Sequence, residues 1–171
     1  MEEFTNNTID TNQLPRFETV EFEKLQPDYW KVVVINIAIT FLIMSISTAA
    51  LHYFVEEIGN EMIYIWITLA VAVLLTITFS RIAFRKKGFA FREHDVLFRS
   101  GILATNTIII PYNRVQHVAL HEGVFSRYFG LAKVEIFTAG GSSSDIEIPG
   151  IEKEQAEKIK QLVMGKIQKQ L

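Results

Sequence analysis

The 171-residue sequence predicts an α+β membrane protein in which a two-helix transmembrane hairpin is followed by a small antiparallel β-domain with a C-terminal helix. Three observations support this prediction: two long runs without charge, several strand-sized segments after them, and one amphipathic stretch at the end of the chain. Mean hydropathy is +0.21 although 21% of the residues are charged. The apolar residues must therefore be gathered in blocks.

The two charge-free runs are long enough to cross a lipid bilayer. Residues 32–54 contain no Asp, Glu, Lys or Arg, and a helix of that length extends about 34 Å. Residues 62–80 form the second run, which extends to residue 84 if Arg81 bends its charge toward the lipid headgroups. Because the hydrocarbon layer is about 30 Å thick, we predict transmembrane helices at 32–54 and 62–84.

The distribution of charge on the two sides of the spans predicts their orientation. The short connection at 55–61 contains glutamates but no Lys or Arg. The basic residues flank the other ends of the spans, at Lys24, Lys31, Arg81, Arg85, Lys86 and Lys87. Since cytoplasmic loops are enriched in Lys and Arg, we predict a multi-pass protein of the cell membrane with both termini in the cytoplasm. Its predicted parts are a cytoplasmic tail (1–31), the transmembrane hairpin (32–87) and a soluble domain (88–171).

Within the soluble domain the pattern changes to short segments separated by turn residues. We predict strands at 88–92, 96–100, 102–110, 114–120, 133–138 and 144–149. Ile146 and Ile148 alternate with acidic residues, which is typical of a half-buried antiparallel strand. Residues 152–171 change to a helical period with one apolar stripe, so this helix is expected to cover an open end of the sheet. The tail contributes one short extended piece, predicted at 17–22.

Several motifs in this domain occur in a recognisable order. Gly101 is followed by TNTIIIPYNRVQHVAL (105–120), RYFGLAKVEIFTAGG (127–141) and IEIPGI (146–151). From about residue 88 to its end, the chain resembles the bacterial pleckstrin-homology-like (PH-like) domain of YdbS-like membrane proteins, which also carry a two-span hairpin. The resemblance implies a bent seven-stranded barrel, capped by a C-terminal helix and held at the cytoplasmic face of the membrane.

The resemblance also implies a function. Similar proteins are often encoded beside a larger membrane protein with several copies of the same domain, which implies a hetero-complex in the envelope and suggests tolerance of membrane-active agents. The leading interpretation is therefore a non-enzymatic, membrane-anchored binding or scaffold module. Its expected partners are the lipid bilayer and either a protein with related PH-like domains or further copies of this chain.

Two groups of residues are candidates for contacts with the membrane surface or a partner. The first is a basic collar of Arg85, Lys86, Lys87, Arg92 and Arg99, in which each residue near anionic lipid contributes roughly 1 kcal/mol. The second is an aromatic corner at 125–130, where Arg127, Tyr128 and Phe129 could dock at the headgroups. The alternative, favoured by the small size of the domain, is that the phenylalanines of this corner fill the barrel end.

Enzymatic and other functions have less support in the sequence. The chain has no cysteine, which excludes disulfides, thiolate zinc sites and thiol nucleophiles. A net charge of −2 argues against general attraction to nucleic acid, and we predict no catalytic residue, metal or cofactor. Two alternatives stay open, a metal-assisted hydrolase that uses His117, His121 and Glu122, and an accessory subunit of a transporter or channel.

Overall fold

The computed structural model describes residues 8, 10, 17–54, 62–139 and 145–168. Two long helices, α1 (Tyr29–Phe54) and α2 (Met62–Lys86), occupy the predicted spans. Both are long and apolar enough to cross a membrane, and only 6% of the most apolar window of each is buried. A core helix of a soluble protein would bury most of that surface. The predicted connection at 55–61 and the predicted turn at 140–143 lie outside the described residues.

The start of α1 and the end of α2 are held together by aromatic side chains. The rings of Trp30 and Phe84 lie 5.9 Å apart, and the guanidinium of Arg81 lies 4.8 Å from the Trp30 ring. Arg81 is thus positioned at the end of the helix pair, as the sequence predicts. Further along the helices, the hydroxyls of Ser47 and Thr68 donate hydrogen bonds to carbonyls one turn earlier in their own helix.

The β-domain consists of two antiparallel sheets and two further helices. The first sheet has the order β1 (Glu23–Lys24), β2 (Gly88–Phe91), β3 (Asp95–Ser100), β4 (Asn106–Pro111). The second sheet has the order β5 (Val115–His121), β6 (Leu131–Thr138), β7 (Ile146–Glu152). Helix α3 (Val124–Tyr128) connects β5 to β6, and helix α4 (Lys153–Gln168) ends the described chain.

The α+β class and the antiparallel strands are confirmed, but the sheets do not close into the implied barrel. From residue 88 onward the described chain forms six strands, and the seventh, β1, comes from the segment before α1. The chain leaves β4 through a 3-10 turn at Tyr112–Arg114, which redirects it into the other sheet. The second sheet is further bent where the pairing register shifts, between Val115 and His117 and between Ala132 and Val134. The described strands therefore form two bent layers rather than one continuous cylinder.

Two predicted strand segments were wrong in part, and one short helix was not predicted. Residues 102–105 form a loop instead of the start of β4, because Gly101 has φ +137° and turns the chain. The extended piece predicted at 17–22 is a 3-10 turn at Phe17–Thr19 followed by β1. Helix α3 was not predicted because its five residues show no full helical period.

The hydrophobic core lies between the two sheets and α4. Tyr112, Val134 and Ile148 are fully buried there. Ala156 and Val163 of α4 are also fully buried, so the predicted apolar stripe packs on the sheet. Leu25, from the segment before α1, belongs to the same core. The N-terminal segment therefore contributes both an edge strand and a core side chain to the β-domain.

Candidate membrane-facing site

The β-domain is fastened directly to the start of α1. Gly150 has φ +65°, and a Cβ atom there would lie 2.4 Å from Cγ of Tyr29. The backbone N–H of Gln26 donates a hydrogen bond of 2.9 Å to the carbonyl of Gly150. Only glycine combines that backbone conformation with so close an approach. The contact fixes how the second sheet is placed relative to the helix pair.

A second connection joins the first sheet to α2. Strand β2 begins at Gly88, two residues after the last residue of α2. The ammonium of Lys86 donates a hydrogen bond to the carbonyl of Ile102 in the loop between β3 and β4. The ends of both long helices therefore hold the same face of the β-domain, and this face is the one directed toward the helix pair.

A cavity of about 400 Å³ opens on this face beside the end of α2. Val20, Phe22, Gly88 and Thr105 form part of its wall. The other described lining residues are Lys24, Arg85, Lys86, Lys87 and Arg99. No Asp or Glu is among the described residues that line it. We call it the basic cavity.

Two cations of the basic cavity are partly removed from water. The guanidinium of Arg99 lies 3.7 Å from the centre of the Phe22 ring, and its Nε is buried with no hydrogen-bond partner among the described residues. Lys87 is half-buried, and this burial lowers the pKa of its ammonium. A buried donor without a partner costs free energy, so an anion would stabilise Arg99, whereas the charge of Lys87 is offset in part by Glu147.

Arg92, the remaining member of the predicted collar, lies at the opposite end of the β2–β3 hairpin. Its guanidinium donates to both carboxylate oxygens of Asp95, at 2.6 and 2.5 Å, and this hydrogen bonding raises the pKa of Arg92. The buried hydroxyl of Tyr112 donates to the carbonyl of Arg92 at 2.9 Å. Burial, with the nearby charge of Asp95, raises the pKa of Tyr112 to about 12.

The aromatic corner lies beside α1. Tyr128 is 85% exposed and Val124 is 82% exposed, and Arg127 is exposed as well. The ammonium of Lys31 lies 5.6 Å from the centre of the Phe129 ring. Phe125 and Phe129 are half-buried, but neither belongs to the core cluster of the β-domain. With Ile35 of α1, the corner lines an apolar groove of about 550 Å³.

A second apolar projection lies on the α2 side of the same face. Leu103 is 94% exposed and Ile102 is 37% exposed, in the loop whose carbonyl Lys86 contacts. Sequence reasoning missed this projection because the two residues were assigned to a strand. It also missed Lys24 and Phe22 in the basic cavity, since their nearness to β2 depends on the pairing of Lys24 with Gly88.

A second polar cavity, of about 430 Å³, lies between the start of α1 and the two sheets. It is lined by Lys87 and Lys133, among other residues. Unlike Arg99, Lys133 is paired, with Glu147 at 2.9 Å and Glu135 at 2.5 Å, and its hydrogen bond to Glu135 contributes most to raising the pKa of its ammonium. Glu147, which also lines this cavity, therefore supplies Lys133 with an anion there, and its charge acts on Lys87 as well.

The histidines proposed for a hydrolase are arranged differently from a metal site. His117 and His121 lie on β5, where residues four apart are separated by about 13 Å along the strand. The ring of His117 stacks on Phe137 at 4.2 Å, and Glu122 pairs with Lys153 at 3.0 Å. Within the described ranges, no three His, Asp or Glu residues are gathered to hold a metal ion.

Comparison with known proteins agrees with this architecture. The sequence profile described as "Bacterial PH domain" matches residues 19–167, which include β1 and both long helices. This chain belongs to the bacterial PH domain family. The profile and the relatives together confirm the resemblance to YdbS-like proteins, and we call the β-domain of this chain the PH-like domain.

Two relatives of this bacterial PH domain protein come from Bacillus subtilis (strain 168). UPF0699 transmembrane protein YdbS is 27% identical over 143 residues, which cover 80% of this chain and 87% of the relative. UPF0699 transmembrane protein YdbT is 27% identical over 139 residues, which cover 78% of this chain but 28% of the relative. No solved structure shows a significant match.

Proposed function

We propose that this bacterial PH domain protein is a non-enzymatic scaffold of the cell membrane. In this proposal the hairpin crosses the bilayer twice with both termini in the cytoplasm, and the PH-like domain rests on the inner leaflet and binds a protein partner there. The supporting observation is the position of the exposed apolar side chains. Val124, Tyr128, Ile102 and Leu103 project from the face of the domain that is fastened to α1 and α2.

The level of the aromatic corner along α1 supports contact with lipid. The corner shares its groove with Ile35, which lies about 9 Å along the helix from Tyr29, at a rise of 1.5 Å per residue. The charge-free run begins at Val32, so α3 lies beside the first turns of the proposed span. Tyrosine with an apolar ring and a polar hydroxyl is enriched at this depth of a membrane.

The loop that contains Ile102 and Leu103 provides a second contact with lipid, beside the end of α2. A Leu side chain that moves from water into an apolar environment gains about 1.5–3 kcal/mol. Two such projections on opposite sides of the hairpin, with basic residues between them, would hold the domain against anionic lipid. The rest of the domain surface, including the exposed side of α4, stays available to a protein.

We further propose that the partner is a larger membrane protein with related domains. YdbT supports this, because the aligned region covers only 28% of its length and it occurs in the same organism as the shorter YdbS. The resemblance described above is the sole support for the additional proposal that such a complex contributes to tolerance of membrane-active agents. A complex of several copies of this chain is the alternative outcome.

Membrane orientation is tested by protease protection. A C-terminal tag is added to the full-length protein, and protease is applied to right-side-out and inverted membrane vesicles. The proposal predicts cleavage of the tag in inverted vesicles alone. Cleavage in right-side-out vesicles would place the PH-like domain outside the cell and contradict it.

Contact with the leaflet is tested by single-cysteine labelling, which the absence of native cysteine makes straightforward. Leu103→Cys and Tyr128→Cys carry an environment-sensitive fluorophore in lipid nanodiscs. Leu162→Cys on α4, a 45% exposed position, is the matched control. We expect a blue-shifted emission at positions 103 and 128 and a water-like emission at 162. Water-like emission at all three positions would contradict docking on the membrane.

The partner is tested by in-cell crosslinking followed by purification in mild detergent. The wild type is compared with a variant in which a lysine on the exposed side of α4, Lys160, is replaced by a photo-crosslinking residue. A larger protein with PH-like domains in the crosslinked product supports the hetero-complex. Repeated recovery of the uncrosslinked single chain would count against any complex.

A further inference from the structure

The basic cavity carries an excess of positive charge that the described protein does not neutralise. Five basic residues line it and no described acidic residue does. The carboxyl end of α2 lies beside it, but a helix end contributes only about half of a negative charge. The net charge around the cavity is therefore about +4.5 on this simple count.

Three nearby carboxylates each have a partner outside the basic cavity. Glu23 lies next to Lys24 in β1, but its carboxylate accepts a hydrogen bond from the amide of Gln155 in α4. Glu147 influences the charge of Lys87 from the second cavity, where its carboxylate binds Lys133 at 2.9 Å. Asp95 binds Arg92 at the far end of the hairpin. Glu147 thus offsets part of the charge of Lys87, but none of these three carboxylates lines the basic cavity.

The donors inside the cavity are arranged for an anion with several oxygen atoms. Arg99 is fixed by its stacking on Phe22 and has a buried Nε without a partner among the described residues. Lys87 is half-buried at the adjoining wall, and Thr105 adds a hydroxyl. A fixed guanidinium together with ammonium groups is the donor set that binds phosphate oxygens. A volume of about 400 Å³ is also within the range of small-ligand sites.

We propose that the basic cavity is a specific site for one anionic phosphate group, with Arg99 and Lys87 as its binding residues. This inference rests on the proposed function, because the cavity faces lipid headgroups only if the PH-like domain docks on the inner leaflet. The phosphate can belong to an acidic phospholipid or be free in the cytoplasm. Either source supplies the same chemistry, and the experiment separates them.

The experiment uses the full-length protein in a non-ionic detergent. Dioctanoyl phosphatidylglycerol, dioctanoyl phosphatidylcholine and inorganic phosphate are titrated separately. Native mass spectrometry counts the bound molecules, and the shift in melting temperature gives the affinity. We expect saturable binding of one phosphatidylglycerol per chain and a higher melting temperature. Binding of inorganic phosphate with equal affinity would assign the site to a free phosphate, whereas preference for the lipid assigns it to the membrane.

Charge-removing variants locate the site. Arg99→Gln and Lys87→Gln should each weaken binding by about tenfold, since each removes a charge-assisted hydrogen bond. Lys160→Gln removes one charge from the exposed surface of α4 and should leave the affinity unchanged. The melting temperature of every variant without ligand reports whether it folds, and the two cavity variants give independent tests.

Binding of many lipids with equal affinity, or equal weakening by all three substitutions, would overturn the proposal in favour of diffuse attraction. Absence of any anion binding by the folded wild type would overturn it as well. Neither of these outcomes would change the results expected from protease protection and cysteine labelling, which test the proposed scaffold function. A failure of the scaffold proposal would instead appear in those two measurements.

Discussion

The two ends of the β2–β3 hairpin carry one arginine each, and their surroundings are opposite. At the end away from the long helices, Arg92 binds both oxygens of Asp95, and its carbonyl accepts the hydroxyl of Tyr112. At the end beside α2, Arg99 stacks on Phe22 and its Nε has no hydrogen-bond partner among the described residues. Arg92 thus belongs to a hydrogen-bond network inside the domain, whereas Arg99 has no carboxylate partner among the described residues.

With the anion site proposed above, this difference would separate stability from binding within one small domain. Buried polar groups of a stable fold are normally satisfied, as they are around Arg92. A buried donor that lacks its partner lowers stability unless a ligand supplies the partner. On the proposal that Arg99 binds an anion, the end of the domain beside α2 gives up some stability for binding, while the far end and the junction at Gly150 stabilise the fold.

The junction at Gly150 should give the largest effect. In Gly150→Ala the new methyl group would lie 2.4 Å from Cγ of Tyr29, at a φ of +65°, so we expect a loss of about 2–4 kcal/mol from strain and overpacking. Gly165→Ala is the matched control, because a Cβ atom there meets nothing within 4 Å. It should be neutral or stabilise α4 by up to about 1 kcal/mol.

Thermal unfolding in detergent gives the melting temperatures of the full-length Gly150→Ala and Gly165→Ala variants. A lower melting temperature for Gly150→Ala, with no decrease for Gly165→Ala, supports a rigid junction between α1 and the PH-like domain. Equal melting temperatures would show that Tyr29 moves aside and that the domain is free to tilt on the helix pair.

The far end of the hairpin should give the next largest effect. Asp95→Ala leaves the partly buried Arg92 without its bidentate partner, and we expect a loss of about 2 kcal/mol. Glu93→Ala removes a neighbouring carboxylate that is 90% exposed and should change stability by less than about 0.5 kcal/mol. Comparable losses in chemical unfolding of both variants would contradict a specific role for the Arg92–Asp95 pair.

The sequence predicted this division only in part. Charge-free runs and alternating segments locate the long helices and most strands because those patterns are local. The pairing of Lys24 with Gly88 brings together residues that lie before α1 and after α2. No local sequence pattern predicts this contact. Asp95 is only three residues from Arg92, so that pair is visible locally, whereas the positions of Tyr112 beside Arg92 and of Phe22 beside Arg99 depend on the fold. The basic collar was therefore predicted as a set, but not its separation into a network and a cavity.

Tyr112→Phe should give a smaller effect with a characteristic pH dependence. Loss of the hydrogen bond to the Arg92 carbonyl should cost about 1 kcal/mol near neutral pH. The folded state raises the pKa of Tyr112 from 10.0 to about 12, so it holds the proton longer than the unfolded state does. The contribution of Tyr112 to the free energy of unfolding of the wild type is therefore fully present below pH 10 and is lost as the pH rises toward 12.

Unfolding measured between pH 9 and 12 checks this prediction. The decline across that range should be steeper for the wild type than for Tyr112→Phe, which has no hydroxyl to titrate. Parallel pH profiles would show that the hydroxyl of Tyr112 is not held in its neutral form by the fold.

Arg99→Gln should have the smallest effect on stability, and this result would define the comparison most sharply. The substitution removes the stacking of the guanidinium on Phe22, which contributes about 0.5–1 kcal/mol. It also removes a buried unsatisfied donor, and relief of that cost is of similar size and opposite sign. Without anionic lipid, the melting temperature should therefore stay close to that of the wild type, whereas Arg92→Gln should lower it clearly. A large loss in Arg99→Gln without lipid would mean that both arginines support the fold, and the contrast between the two ends of the hairpin would disappear.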